Sequence, residues 1–418
     1  MKYFAFKKDV LLVSGAKRGA IYDLNSKKIF SIDETSKGYL EKLTNGQSIE
    51  EVSLRLTKLD KDELIQYLQL LCTKELAYLT NKKITSGKYN INDIKIDKKI
   101  HTVWFELRKS CNLKCSHCYL DSNIHSDEKL DILTINEWKH IIDELKIYNP
   151  EKVILIGGEP LLFNEINELI EYCRDQLSNT NIILYSNITM LSDENIKTIV
   201  NNNVKVITSI YSNVAKVHDK ITQTKGSFNN TVNNIKRLKK LGVYVKANIV
   251  IMKYNYDNIS DILKFTYELT GIKSKIDIIR NVGKDKKYLL PGDLNNNFFK
   301  ERKQILAGVS KERFYRNISG NSCYQGKLNI SCDGTVTPCI MSSKLANLKY
   351  NIKRYSINCI LEKYLIPEFW SLSKDYIDEC KDCEFRYACK DCRPISIKDN
   401  NKYAKGNNCN YNPYTSEN

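Results

Sequence analysis

From residue 98 onward the chain alternates two hydrophobic rhythms. Short apolar runs rich in Val and Ile, at 103–107, 152–156, 181–185, 204–209, 244–252 and 275–279, read as strands. Between them, residues 136–145, 165–177, 194–201, 228–241 and 260–269 place apolar side chains three and four apart and read as helices. Strand and helix in strict alternation predict a parallel α/β sheet or partial barrel. In such barrels chemistry gathers on the loops beyond the C-terminal strand ends. Cys111, Gly157, Ser186, Ser209 and Arg280 all fall near such ends.

The first 92 residues follow another pattern. Residues 10–13 and 20–24 are strand-like, with Gly15 and Gly19 near turns. Ser48 with Glu51 three residues on has the form of a capping box, and Asp60 with Glu63 repeats it. Beyond Asp60, Leu64, Tyr67, Leu68, Leu71 and Cys72 share one helical face, which makes Cys72 a core thiol. Strands plus helices in so short a stretch predict a small winged-helix-like α+β module. Polar runs at 81–88 and 291–297 mark joins. Three domains are expected: 1–92, 98–310 and 311–418.

Composition narrows the function. At 418 residues, 42% apolar and 27% charged, the chain buries a core. Its formal net charge is +16, but Lys is spread along the chain with no dense Arg block, so the charge reads as a solvated surface and no nucleic acid is expected. No apolar run approaches a membrane span, and the first residues lack a signal-peptide pattern. A reducing cytoplasm is the expected compartment. There, 14 cysteines beside 5 histidines point to metal or redox chemistry rather than disulfides.

The first strand runs into Cys111, Cys115 and Cys118, a C-x3-C-x2-C spacing. Three soft thiolates can ligate three irons of a [4Fe–4S] cube and leave the fourth open. The competing reading is a zinc knuckle completed by His117, which sits awkwardly inside the last step. This spacing resembles the hallmark of the radical SAM superfamily. Gly157-Gly158-Glu159-Pro160 after the second strand resembles the family motif that receives the amino group of S-adenosylmethionine. There the glycines would let backbone approach a ligand and Glu159 would pair with a cationic amine. Ser186 and Asn187, Ser209 and Arg280 occupy positions where relatives contact the ribose or carboxylate, and His117 and Pro160 complete the implied contacts. His218, near the helix fed by Gly226 and Ser227, reads as a satisfied loop histidine.

The last hundred residues carry Cys323, Cys332, Cys339, Cys380, Cys383, Cys389, Cys392 and Cys409. Asp333-Gly334 marks a hairpin turn between two of them. The pattern resembles the SPASM extension, which binds two auxiliary clusters, although Cys389 and Cys392 lie one residue closer than the usual C-x3-C. The resemblance implies Cys323, Cys339 and Cys392 for an inner cluster, with Cys332 a candidate fourth ligand. It implies Cys380, Cys383, Cys389 and Cys409 for an outer one. Paired C-x2-C steps would suit zinc ribbons equally. Cys173 shares a face with Ile166, Leu169 and Ile170 and reads as core, while Cys359 has no assignment.

The opening module resembles the peptide-recognition module of ribosomal-peptide maturases. The whole resemblance implies reductive cleavage of S-adenosylmethionine and modification of a precursor peptide held by its leader, with electrons from a flavodoxin or ferredoxin. A sulfatase-maturase type of oxidation is one alternative, although Ile340 stands where those enzymes place an acidic base. A non-catalytic iron–sulfur or zinc adaptor that holds peptides is the other.

Overall fold

A computed structural model describes residues 1–89, 96, 98–120, 122–279, 308–342, 350–390, 392–396, 401–406 and 409–416. The chain divides into two compact units. One comprises 1–96, 297–325 and 370–418; the other comprises 97–296 and 326–369.

The first unit opens with β1 (Tyr3–Phe6), β2 (Val10–Ser14), β3 (Gly19–Asp23) and β4 (Lys28–Ile32). Then come α1 (Glu34–Thr44), α2 (Ile49–Ser53), α3 (Lys58–Thr73) and β5 (Ala77–Thr80). Strands β2, β3 and β4 form an antiparallel meander, and β1 pairs with β5. The period-2 alternation gives the meander two apolar faces. Val10, Ile21 and Ile32 pack against Leu40, Leu43, Leu64, Leu68 and Leu71 of the helices. Leu11, Val13, Ala20 and Tyr22 pack against Phe314 and Ile318 of the helix Lys311–Ser319 and against Phe385, Tyr387 and Tyr411. Thus the opening strands and the last cysteine-bearing segments share one core.

The Ser48–Glu51 capping box forms as expected. The next helix begins earlier than the sequence suggests. Thr57, not Asp60, is its cap, because the Thr57 hydroxyl reaches the Asp60 amide. The polar run at 81–88, read as a join, is instead tied down: Ser86 Oγ accepts from Phe6 N, and Gly87 O accepts from Leu12 N.

The second unit is built on one sheet. Its elements in chain order are β6 (Thr102–Arg108), α4 (Ile135–Leu145), β7 (Lys152–Gly157), α5 (Ile166–Gln176), β8 (Asn181–Tyr185), α6 (Asp193–Asn201) and β9 (Lys205–Ser209). They continue with α7 (Ala215–Thr222), α8 (Ser227–Lys240), β10 (Val245–Ile251), α9 (Ile259–Thr270) and β11 (Ile276–Ile278). Strands β6 to β11 are parallel in chain order, the arrangement the alternating pattern predicts. β12 (Lys327–Ser331) then joins parallel to β6, and β13 (Val336–Thr337) turns back through Gly334, whose φ is +80°. The C-terminal hairpin therefore extends the barrel sheet.

Phe105 on β6 packs against Trp138 on α4, with ring centroids 4.9 Å apart. Val103, Phe105 and Leu107 thus face the helices, and alternation turns Trp104, Glu106 and Arg108 to the opposite face of the sheet. Cys173 is fully buried on α5, as its helical face predicts, and Cys72 packs at the edge of the first unit's core. Among the described residues, no helix is long and apolar enough to cross a membrane.

Candidate active site

The loop after β6 carries Cys111, Cys115 and Cys118, and neighbouring backbone holds it. The Asp127 carboxylate accepts from Lys109 N at 2.7 Å and Ser110 N at 3.2 Å, fixing the loop's start. Cys111 N donates to Asn123 O. Farther on, Lys114 N and Ser116 N donate to Thr222 O and Ile221 O at the end of α7. Helix α7 thus positions the loop, and it was not foreseen from sequence. It begins at Val214 with no side-chain cap, and its readable trace is Val217 and Ile221, four residues apart.

The ends of β7 and β8 close on the same loop. Gly157 has φ +148°, and a Cβ there would lie 2.2 Å from Arg108 O. A Cβ on Gly158 would lie 2.2 Å from Ser110 O and 2.5 Å from Lys109 O. Both glycines are therefore required by backbone of the cysteine loop itself. The sequence reading assigned them to approach by a ligand.

Glu159 is fully buried. Its Oε1 accepts from Ser186 Oγ at 2.6 Å and Leu161 N at 3.0 Å, and its Oε2 from Asn187 N at 2.8 Å. Burial pushes its carboxyl up to about 7, against the pull of those hydrogen bonds. Asn187 in turn points its Nδ2 at Asn112 Oδ1 (2.8 Å) and Cys111 Sγ (3.8 Å). Pro160 is buried and starts the short turn that follows. The structure so brings Cys111, Gly157, Gly158, Glu159, Pro160, Ser186 and Asn187 together. Ser209 ends β9, two residues before Tyr211. Arg280 lies outside the described residues.

Ile188, next in the β8 loop, has φ +52°, a strained value for a β-branched residue. Ser186 Oγ takes its N–H and Asn234 Nδ2 of α8 holds its carbonyl, so the strain is locked in. The His117 ring packs edge-on against Tyr211 at 4.6 Å, and Tyr211 lies against His218 at 5.2 Å. His218 is not in a loop. It is buried on α7 and accepts from Tyr211 N, and burial pushes its pKa down to about 4, so it is neutral at pH 7.

Cys111, Cys115 and Cys118 supply the soft thiols an iron–sulfur cluster takes, although among the described residues no three such side chains stand together as a preformed metal site. Burial pushes the Cys111 thiol up to about 12, eased by the Leu113 amide and raised further by the Glu159 and Cys118 charges. Burial, then the Cys111 and Cys118 charges, raise Cys115 as well. Three mutually repelling sulfurs in one half-buried loop are stabilised as thiolates by bound iron, which releases their protons.

One unforeseen acidic group lies on β6. Glu106 is buried; its Oε2 accepts from Ser331 Oγ on β12, and its Oε1 has no partner among the described residues. The sequence clue was a lone carboxylate inside an apolar strand. Nearby, Lys109 pairs with Asp333 at 3.1 Å, and buried Cys332 has its sulfur 3.9 Å from Asp127. Burial pushes the Cys332 thiol up to about 12.

Cys332 and Cys339 belong to the second unit; Cys323, Cys380, Cys383, Cys389, Cys392 and Cys409 belong to the first. Within the first unit, burial raises Cys383, with the Cys389 and Cys380 charges adding to it. Cys383 and Cys409 both pack at the edge of the core shared with the opening strands. A cavity of about 450 Å³ in this unit is lined by Cys323, Cys389, Arg313, Arg316, Lys374 and Lys390.

A parallel α/β sheet whose first strand ends in a three-thiol loop, closed by a glycine-rich second strand end, has the arrangement of metalloenzymes that hold a cluster at the mouth of a partial barrel. Residues 106–266 match the Radical SAM superfamily, so the chain carries a radical SAM domain. It is 26% identical over 364 residues to the antilisterial bacteriocin subtilosin biosynthesis protein AlbA of Bacillus subtilis, covering 84% of this chain and 80% of AlbA. It is 26% identical over 249 residues to the sporulation killing factor maturation protein SkfB of the same species, covering 56% and 58%. In fold it is similar to SuiB of Streptococcus suis bound to S-adenosylmethionine, with a TM-score of 0.60, 16% identity and coverage of 97% and 99%. The structure of SuiB bound to its precursor peptide SuiA is similar at a TM-score of 0.58.

Proposed function

We propose that this enzyme matures a ribosomally made peptide by radical chemistry. The observation that carries the reading is that Cys111, Cys115 and Cys118 share one loop of a radical SAM domain, clamped by the ends of β7, β8 and α7. Similarity to AlbA, SkfB and SuiB, each named or crystallised with such peptides, supports the peptide as substrate. Held by Cys111, Cys115 and Cys118, a reduced cluster with S-adenosylmethionine would supply the hydrogen-abstracting radical chemistry.

The chain's own residues do the rest. Cys111, Cys115 and Cys118 hold the first cluster. Gly157, Gly158, Asn187, Ser209 and Arg280 are assigned to the side where S-adenosylmethionine binds, with His117 and Tyr211 as its aromatic wall. Cys380, Cys383, Cys389 and Cys409 hold an outer auxiliary cluster. Cys323, Cys339 and Cys392 serve an inner one, with Cys332 in reserve. The module at 1–92 takes the leader, and a flavodoxin or ferredoxin in a reducing cytoplasm provides electrons.

The test is anaerobic reconstitution with iron and sulfide, then incubation with S-adenosylmethionine and dithionite. Wild type should release 5′-deoxyadenosine, and Cys115→Ala should release none. Co-expression with any small open reading frame found beside the gene should shift the encoded peptide's mass. Cleavage by Cys115→Ala at the wild-type rate overturns the cluster assignment.

A further inference from the structure

The carboxylate of the motif glutamate is already engaged within the protein on both oxygens. Glu159 is fully buried, and three donors take three of the roughly four lone-pair sites of its carboxylate: Ser186 Oγ, Leu161 N and Asn187 N. Two of these lie at the end of β8. The next link is equally constrained. Asn187 Oδ1 accepts from Thr189 N at 2.9 Å and Thr189 Oγ1 at 2.6 Å, which fixes the amide so that its Nδ2 faces the cysteine loop. There Nδ2 donates to Asn112 Oδ1 and lies 3.8 Å from Cys111 Sγ. Asn112 Nδ2 closes the ring by donating to Thr189 Oγ1 at 2.8 Å. The Cys111 sulfur also receives Leu113 N at 3.4 Å. The Cys111 sulfur thus carries two hydrogen bonds of the kind that set cluster reduction potentials.

The geometry points to Glu159 as a positioning residue rather than a partner of the S-adenosylmethionine amine. It anchors Asn187, and Asn187 holds the cysteine loop and donates a hydrogen bond to the Cys111 sulfur. This rests on the reading that Cys111, Cys115 and Cys118 hold the cluster.

Glu159→Gln can keep its carbonyl on Asn187 N and turn its amide toward Ser186, losing only the Leu161 contact. Glu159→Ala loses all three. The two substitutions therefore separate positioning from charge pairing.

The first arm needs no cluster. Amide hydrogen exchange in the apoprotein, over residues 110–118, should speed up in Glu159→Ala and Asn187→Ala and stay at the wild-type rate in Glu159→Gln. The second arm uses the reconstituted protein. The midpoint potential, followed by electron paramagnetic resonance, should fall in Asn187→Ala and hold in Glu159→Gln. Calorimetric affinity for S-adenosylmethionine should also hold in Glu159→Gln. Two results overturn the proposal. One is weakening of that affinity by about tenfold or more in Glu159→Gln with loop exchange unchanged. The other is wild-type exchange and potential in Asn187→Ala. Failure of the wild type to load a cluster through these cysteines would sink the functional reading instead, while the exchange arm still decides the role of Glu159.

Discussion

Adding one methyl group at Gly158 tests whether the glycine pair serves the cysteine loop. The new Cβ would stand 2.2 Å from Ser110 O, 2.5 Å from Lys109 O and 2.7 Å from Ser110 C. All three are backbone atoms, so no side chain can swing aside. The Asp127 carboxylate holds that backbone through Lys109 N and Ser110 N, and Glu159 N donates to Ser110 O at 2.9 Å. Relief requires the loop to retreat by about 1 Å before an ordinary van der Waals contact is restored. Overpacking of this kind costs about 1–3 kcal/mol, and the stretched Glu159–Ser110 hydrogen bond adds about 1 kcal/mol. The larger effect is on chemistry. Ser110 precedes the first ligand, and a displacement of about 1 Å at a reacting centre costs on the order of 100-fold in rate. Gly158→Ala should thus unfold several degrees early and release 5′-deoxyadenosine far more slowly than wild type. Gly38→Ala is the control. Gly38 lies in α1 with nothing within 4 Å of a built Cβ, so that change should stabilise the chain by about 0.5–1 kcal/mol. A Gly158→Ala protein with wild-type melting and wild-type cleavage would refute the reasoning.

Two further outcomes follow from burial. The folded-state pKa of His218, about 4, is below the unfolded value of about 6.5, so the unfolded chain binds the extra proton and stability falls as pH drops from about 6.5 toward 4. The loss should reach about 2 kcal/mol at pH 5. Urea unfolding of the apoprotein at pH 7 and pH 5 should show it, and a His218→Gln protein with the same pH slope would exclude His218 as its source. Leu68, 1% exposed in the core between the meander and α3, should cost about 3 kcal/mol when changed to Ala; a melting temperature within a degree of wild type would show that the site collapses around the gap.

The local rhythms carried most of the fold. Strands β6 to β11 fall within a residue or two of the predicted runs, because each obeys its own 2.0 or 3.6 period without help from distant chain. What escaped was non-local. The Asp333-Gly334 turn was readable, but the placement of β12 beside β6 depends on pairing Asn329 with Trp104 across more than 200 residues, and no local period encodes that. Helix α7 escaped for the opposite reason. It is short, starts at an uncapped Val214, and is held by its contacts with the cysteine loop rather than by its own propensity. Asp60 misled because it is a good capping residue sitting three positions after a better-placed one, Thr57.

The glycine-glycine-glutamate-proline run shows how a motif's residues also serve their neighbours in the chain. Its spacing after the cysteine loop placed it at the site. Its chemistry was then inferred from what glycine and glutamate can offer a ligand, because a sequence displays residues without their neighbours. In the folded chain the neighbours come first. Gly157 and Gly158 meet the backbone of Arg108, Lys109 and Ser110, and Glu159 meets Ser186 and Asn187. A motif that links three strand ends must have small residues where backbones touch and a many-lone-pair acceptor where amides converge, whatever the ligand beyond them. The demand for glycine at these positions is therefore set by the cysteine loop.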